Sequence, residues 1–340
     1  MRVLVTGGAG YIGSHTVLTL LERGDDVIVV DNFANSSPES LERVARITGH
    51  RATVHRLDVA DREGLDAVFA AERPDAVIHF AGLKAVGESV AQPLRYYSEN
   101  LGTTFSLLSA MDRHDVRTLV FSSSATVYGD HQPAPYQEDG GRLGSTNPYG
   151  ETKVMLERVL TDVGQADPRW RIALLRYFNP IGAHESGLIG EDPRGIPNNL
   201  APYVAQVAVG RLAEVGVFGD DYATADGTGE RDYIHVVDLA EGHVAALQHL
   251  RGHEGVRAWN LGTGRATSVL ELIAAFEAAS GRPIPSRVLP RREGDLAQAW
   301  ADTTRAAEEL GWRASRGIAE MARDAWRWQS ANPDGYDAAG

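Results

Sequence analysis

From the N terminus, positions 2–6 form a nearly continuous apolar run, the pattern of a strand buried on both faces. A glycine-rich turn follows, then a helical pattern over 14–23 that stops at Gly24, and a second apolar strand over 27–30 with Asp31 at its end. The alternation continues, predicting helices over 38–48, 62–72, 93–113 and 148–163 and strands over 53–57, 76–80, 118–122 and 172–177. Strands alternating with helices in this way predict an α/β fold built on a doubly wound parallel sheet. Beyond Pro180 the pattern breaks into Gly- and Pro-rich segments. Helices are expected near 201–210, 237–250, 268–279, 303–310 and 318–328, with short strands near 215–218 and 258–261. The domain expectation is therefore a sheet domain over 1–180, a smaller mixed α/β substrate lobe over 181–330 packed against it, and a frayed tail over 331–340.

The 340 residues suffice for a sizeable core, and composition narrows the ligands. A net charge of −13 and a pI near 5.3 oppose a nucleic-acid or anionic-membrane surface, so neither is expected as a partner. There is no cysteine, which excludes disulfides, thiolate metal sites and a cysteine nucleophile. The opening apolar run is too short for a signal peptide and no later run reaches membrane-spanning length, so a cytoplasmic setting is expected and the Asn35-Ser36-Ser37 sequon carries no weight. No internal repeat, low-complexity tract or long linker is visible.

The turn Gly7-Gly8-Ala9-Gly10-Tyr11-Ile12-Gly13 lies between a strand and a helix, where glycines permit a tight turn and let a pyrophosphate approach the backbone. Asp31, eighteen residues past Gly13, suits ribose hydroxyls and repels a 2′-phosphate, which favours NAD over NADP. Tyr149 and Lys153 lie four apart on a predicted helix and share a face. An ammonium beside a phenol favours the phenolate, so the pair is expected to act as a base near neutral pH. Of 33 basic residues only Lys84 and Lys153 are lysines, in a chain that otherwise uses arginine. Arginine cannot replace a compact ammonium able to share a proton, so both are candidates for function.

With T-G-G-A-G-Y-I-G at the start, S-S-S-A-T-V-Y-G at 122–129 and Y-x-x-x-K at 149–153, the chain resembles the extended short-chain dehydrogenase/reductases of the NAD-dependent epimerase/dehydratase family. G-L-K-A-V-G-E-S at 82–89 and R-R-E-G-D at 291–295 narrow the resemblance to the epimerases of that family that act on UDP-glucose. The resemblance implies a Rossmann domain and a reversible NAD-dependent 4-epimerisation of UDP-glucose and UDP-galactose through a 4-keto intermediate, with NAD tightly bound and regenerated in each turnover. Tyr149 would be the base, Ser124 a proton relay at the sugar 4-oxygen, and Lys153 the group that lowers the Tyr149 pKa and holds the nicotinamide ribose. The cofactor contacts it implies are Gly7, Gly10, Tyr11, Ile12 and Gly13 at the pyrophosphate, and Asp31, Asn32, Asn35 and Ser36 at the adenosine ribose. Asp58 and Val59 would sit at the adenine, Phe80, Ala81, Gly82, Lys84 and Ser122 along the centre, and Phe178 near the nicotinamide. For the UDP sugar it implies Asn179, Asn199, Leu200, Arg231, Arg292, Asp295 and Ala299, besides Lys84, Ser124 and Tyr149. It also suggests a homodimer through 97–110 and 149–159.

Three departures from the family pattern stand out. Asn100-Leu101-Gly102-Thr103-Thr104 carries its glycine one place early, and Glu151 and Thr152 sit within the catalytic pentapeptide. Ala299 stands where some epimerases carry a bulky aromatic, which leaves room for a 2-acetamido group and hence UDP-GlcNAc and UDP-GalNAc. A 4,6-dehydratase would need an Asp-Glu pair where Ala125-Thr126 stand. An epimerase of another UDP sugar, a net dehydrogenase and a non-catalytic nucleotide-sensing module remain alternatives. His243, His249 and His253 read as solvated helix histidines rather than metal ligands, and Arg231 between Glu230 and Asp232 has a surface salt bridge as its alternative role.

Overall fold

The computed structural model describes residues 1–338 except Ile196, Asn198 and Glu293. The chain begins β1 (Arg2–Thr6), α1 (Tyr11–Glu22), β2 (Asp26–Asp31), α2 (Pro38–Thr48), β3 (Thr53–Arg56), α3 (Arg62–Glu72) and β4 (Ala76–His79). It continues through α4 (Val86–Ala91), α5 (Pro93–Arg113), β5 (Thr118–Ser124), α6 (Pro148–Ala166), β6 (Arg171–Tyr177), β7 (Asn179–Ile181), α7 (Leu200–Val209), β8 (Val215–Phe218) and β9 (Glu230–His235). The remainder is α8 (Val236–His249), β10 (Gly255–Leu261), β11 (Ala266–Ser268), α9 (Val269–Ser280), β12 (Ser286–Leu289), β13 (Gln298–Ala299), α10 (Thr304–Glu309) and α11 (Ile318–Ala331).

Seven parallel strands form the main sheet in the order β10-β6-β5-β4-β1-β2-β3. β1 lies in the interior of this sheet, between β4 and β2, which explains the unbroken apolar run. Val3 and Val5 enter the core under α1, α2 and α8, whereas Leu4 enters the opposite core under α3, α5 and α6. All three are fully buried, each worth about 1.5–3 kcal/mol of apolar transfer. The strand order reverses between β1 and β4, which opens a crevice at their C-terminal ends.

β10 corrects the expected domain boundary. The strand expected at 258–261 starts at Gly255 and pairs parallel with β6 as the outer strand of the main sheet, not within the C-terminal lobe. The preceding helix, α8, buries Leu239, Val244 and Leu247 in the same core as α1, so residues after 180 complete the sheet domain. The smaller lobe comprises β9 with β7, β11 and β13, the β8–β12 pair, and α7, α9 and α11 around a third core. The tail differs too. Tyr336 is buried, its ring 4.7 Å from Trp328, its hydroxyl accepting from the Gly190 amide, so the chain is anchored well past Ala331.

Candidate active site

At the β1–α1 turn the glycines are required by contact. Gly7 has φ +69°, and a Cβ there would lie 2.9 Å from the Ala81 nitrogen; one on Gly13 would lie 2.2 Å from the Gly7 carbonyl oxygen. Gly10 begins α1 without a side-chain cap, leaving first-turn amides free for an anion. Tyr11 turns its hydroxyl to the Gly182 carbonyl at 2.7 Å, tying α1 to the chain after β7, and Ile12 packs on the core. Asp31, buried at the end of β2, accepts from the amides of Ala9 and Phe33 and from Ser36 Oγ. Asn32 donates to Asp58 at 2.9 Å, Val59 is buried beside them, and Asn35 is exposed. This uncapped helix end, with a carboxylate at the neighbouring strand end, fits a dinucleotide with free ribose hydroxyls.

Across the crevice, Phe80 packs 4.8 Å from His243, and Ala81 donates to Thr6 Oγ1. His243 is fully buried, its Nδ1 2.8 Å from the Leu239 carbonyl, and burial pulls its pKa down to about 4, so it is not the solvated helix residue expected. Gly82 turns beside Asn100, whose buried carboxamide accepts from Leu83 N and donates to Leu83 O and Thr152 Oγ1. Thr152 in turn donates to the Tyr149 carbonyl. Two of the departures seen in the sequence thus brace the Gly82 turn against the first turn of α6. Lys84 is largely exposed and pairs with Glu191 at 3.5 Å; burial raises the Glu191 pKa, opposed by Lys84 and by an Asn199 hydrogen bond.

α6 starts at Asn147, whose side chain caps the Gly150 amide, and presents Tyr149 and Lys153 toward the C-terminal end of β5. Lys153 is 7% exposed; its Nζ donates to the Ser122 carbonyl at 2.7 Å and lies 6.0 Å from the Tyr149 ring centre. Burial lowers its pKa to about 8, with Glu157 pulling the other way. Tyr149 departs from the expected lowered pKa. Burial raises it above its ordinary value, and a hydrogen bond with Ser124 is the influence that lowers it. Desolvation outweighs the nearby ammonium because that ammonium is bonded to the strand rather than to the phenol. Ser124 also accepts from Thr126 N and Oγ1, and Ser122 Oγ contacts the Tyr177 hydroxyl.

Arg231, on β9, does not bridge Glu230 or Asp232. Asp232 is fully buried and accepts from the amides of Thr263, Gly264 and Ala301. Arg231 donates to the Glu230 and Leu296 carbonyls and shares Asp295 with Arg292, at 3.7 and 3.6 Å. Arg292 also lies 4.0 Å above the Phe218 ring. β-pairing sets Asn179 against Tyr233 and Ala299 against Arg231. Ala299 packs on a cluster of Val127, Tyr128, Tyr136, Phe178 and Ala301, which joins the β5 end to these arginines. Asn199 occupies the N-cap position of α7, just before Leu200, without a side-chain capping bond.

The NAD dependent epimerase/dehydratase family model matches residues 3–262. The chain belongs to this family. It is 60% identical over 339 residues to a UDP-glucose 4-epimerase of Bacillus subtilis, covering 100% of each chain. Among solved structures it is similar to UDP-glucose 4-epimerase from Bifidobacterium longum in complex with NAD+ and UDP, at 57% identity and TM-score 0.95 over 98% of this chain and 100% of that one. It is also similar to the enzyme from Stenotrophomonas maltophila with NAD and formylated UDP-arabinopyranose, at 50% identity and TM-score 0.96 over 98% and 99%.

One residue of the crevice escaped the sequence reading of this family member. Arg194 reaches back to donate to the carbonyls of Phe33, Ala34 and Ser36, clasping the loop after β2. Tyr177, buried behind Ser122, has its pKa raised by burial and then by Tyr149. Arg194 stands in no motif, and its contacts join segments distant in sequence.

Proposed function

We infer that this chain is an NAD-dependent 4-epimerase that interconverts UDP-glucose and UDP-galactose. The observation that carries the reading is the meeting of Tyr149, Lys153 and Ser124 at the C-terminal end of β5, joined by an aromatic cluster to the Arg231–Asp295–Arg292 group. The arginines suit a diphosphate, since guanidinium forks bind such oxygens in pairs. Asn179, Asn199 and Leu200 would complete the nucleotide-sugar site.

When bound, NAD would supply a reversible hydride acceptor for C4 and, in its oxidised ring, a positive charge that favours the Tyr149 phenolate. The first-turn amides of α1 and the Asp31 carboxylate would hold its pyrophosphate and ribose. Tyr149 takes the proton of the sugar 4-hydroxyl as the C4–H bond breaks, leaving a 4-keto sugar. Ser124, between phenol and sugar, relays that proton, and the same residues return it after the sugar has turned over. Lys153 supplies a buried cation beside the phenol, opposing the rise that desolvation imposes on it. Because the proton and the hydride both return, no co-reactant is consumed.

Ala299 presents only a methyl group, which supports acceptance of UDP-GlcNAc and UDP-GalNAc as well. Exposed Leu94 and Phe105 on α5 and Met155 on α6 support a homodimer through these helices. A cytoplasmic setting agrees with the acidic, cysteine-free composition, and no described helix is long and apolar enough to cross a membrane.

The test is to incubate the purified protein with UDP-galactose without added NAD and follow UDP-glucose. Conversion establishes the reaction and a retained cofactor; silence both without and with NAD would move the assignment to another UDP sugar. Substituting Tyr149 by Phe separates catalysis from sensing, because ligand binding would survive it and turnover would not.

A further inference from the structure

Directly behind the catalytic pair lies a buried polar group that the mechanism above does not use. Glu157, one helical turn beyond Lys153 on α6, is almost fully buried with Arg176 of β6, at side-chain exposures of 4% and 5%. Arg176 Nε and Nη2 donate to the Glu157 carboxylate at 2.9 and 2.6 Å, while Ser123 Oγ donates to it at 2.5 Å. Arg176 also donates to the Tyr128 hydroxyl and the Glu138 carbonyl. Ser123 sits between the residue whose carbonyl receives the Lys153 ammonium and the residue that bonds Tyr149. Successive strand residues face opposite ways, so Ser123 can be gripped from the helix side while Ser122 and Ser124 face the crevice.

We propose that Glu157 is a positioning residue for proton transfer: through Ser123 it locks the end of β5 against α6, fixing Lys153 and Tyr149 relative to Ser122 and Ser124, and its carboxylate holds the Lys153 charge. This rests on the reading of Tyr149 and Lys153 as the proton-transfer pair.

The other groups around the ammonium cannot replace it. On α6 itself, Tyr149 is neutral. From β4, His79 adds no negative charge, because burial and then Lys153 push its pKa down to about 3. From β5 come the Phe121 ring, 4.9 Å from Nζ, and the Ser122 carbonyl; from β6 come Tyr177, a neutral phenol, and Arg176, a cation. Glu157 is the anion of this group, and Arg176 tempers it.

Since the chain has only two lysines, isotope-labelled lysine yields two side-chain signals, assigned with Lys84→Arg, and Lys153 can be titrated in the full chain without relying on turnover. Glu157→Gln keeps a hydrogen-bond acceptor for Ser123 but removes the charge. We expect the Lys153 midpoint to fall by about one pH unit, and kcat to fall about tenfold near neutral pH with KM for the UDP sugar retained. Arg176→Gln should move the midpoint the opposite way, upward. Should an unpaired buried charge prevent either variant from folding, Glu157→Gln/Arg176→Gln removes both, and its midpoint should still lie below that of the parent protein. An unmoved midpoint in folded Glu157→Gln or in the double variant, or shifts of one sign in both single variants, would overturn the proposal and leave a structural ion pair. A missing epimerase activity in the parent protein would instead sink the functional reading, and the titration would stand apart from it.

Discussion

The Lys153 ammonium is 2.7 Å from the Ser122 carbonyl and 6.0 Å from the centre of the Tyr149 ring. This geometry makes the lysine an electrostatic partner of the phenol across a short gap, held by the strand that also carries Ser124. The proposed base is thus assembled from two elements, and its strength depends on their spacing.

Replacing Lys153 by Met should separate stability from activity. The folded pKa of about 8 lies below the ordinary lysine value of 10.5, so the charged form is disfavoured by folding. The sign follows: the penalty is fully present below pH 8 and is relieved as pH rises from about 8 to 10.5. At pH 7 it is of order 3 kcal/mol, reduced by about 1 kcal/mol for the lost hydrogen bond to Ser122. Denaturant unfolding should find the variant at least as stable as the parent at pH 7, with the difference shrinking toward pH 10, while kcat drops by roughly 10²–10⁴-fold. A clear loss of stability at pH 7 would contradict the assignment.

Tyr149→Phe should lose about 10³-fold or more in kcat with KM little changed, since it removes the proton acceptor and leaves the nucleotide contacts intact. Ultraviolet titration of the cofactor-free parent protein should show Tyr149 still protonated at pH 10, because burial raises its pKa. Ionisation of that residue near pH 7 in the cofactor-free protein would show that the ammonium suffices by itself.

Arg292→Ala and Arg231→Ala should raise KM for UDP sugars by roughly tenfold each with a smaller change in kcat, as guanidinium–diphosphate bonds are present in ground and transition states alike. The double variant should be less than additive, because both residues share Asp295. Steady-state kinetics on UDP-galactose decide this.

Arg194→Ala releases three carbonyls of the loop following β2. Hydrogen exchange over residues 32–37 should speed up, and NAD should dissociate several-fold faster in a chase experiment, with kcat at saturating NAD unchanged. Unaltered exchange in that segment would show the clasp to be dispensable.

Local order in the amino acids determined much of this protein. Continuous apolar runs demanded strands covered on both faces, the glycines and Asp31 located the dinucleotide end, and a spacing of four placed Tyr149 and Lys153 on one helix face. The ranges of α2 and α5 follow from their proline starts, that of α3 from its Asp61 cap, and all three from their periodicity. Tertiary structure decided the rest: that β10 closes the main sheet, that Arg231 turns to Asp295 while Asp232 is buried, that His243 lies under Phe80, and that the Tyr149 phenol is raised rather than lowered. Periodicity reports which side of its own element a residue occupies. A proton's affinity and an ion's partner depend on desolvation and on groups from other elements, and these exist only once the chain has packed.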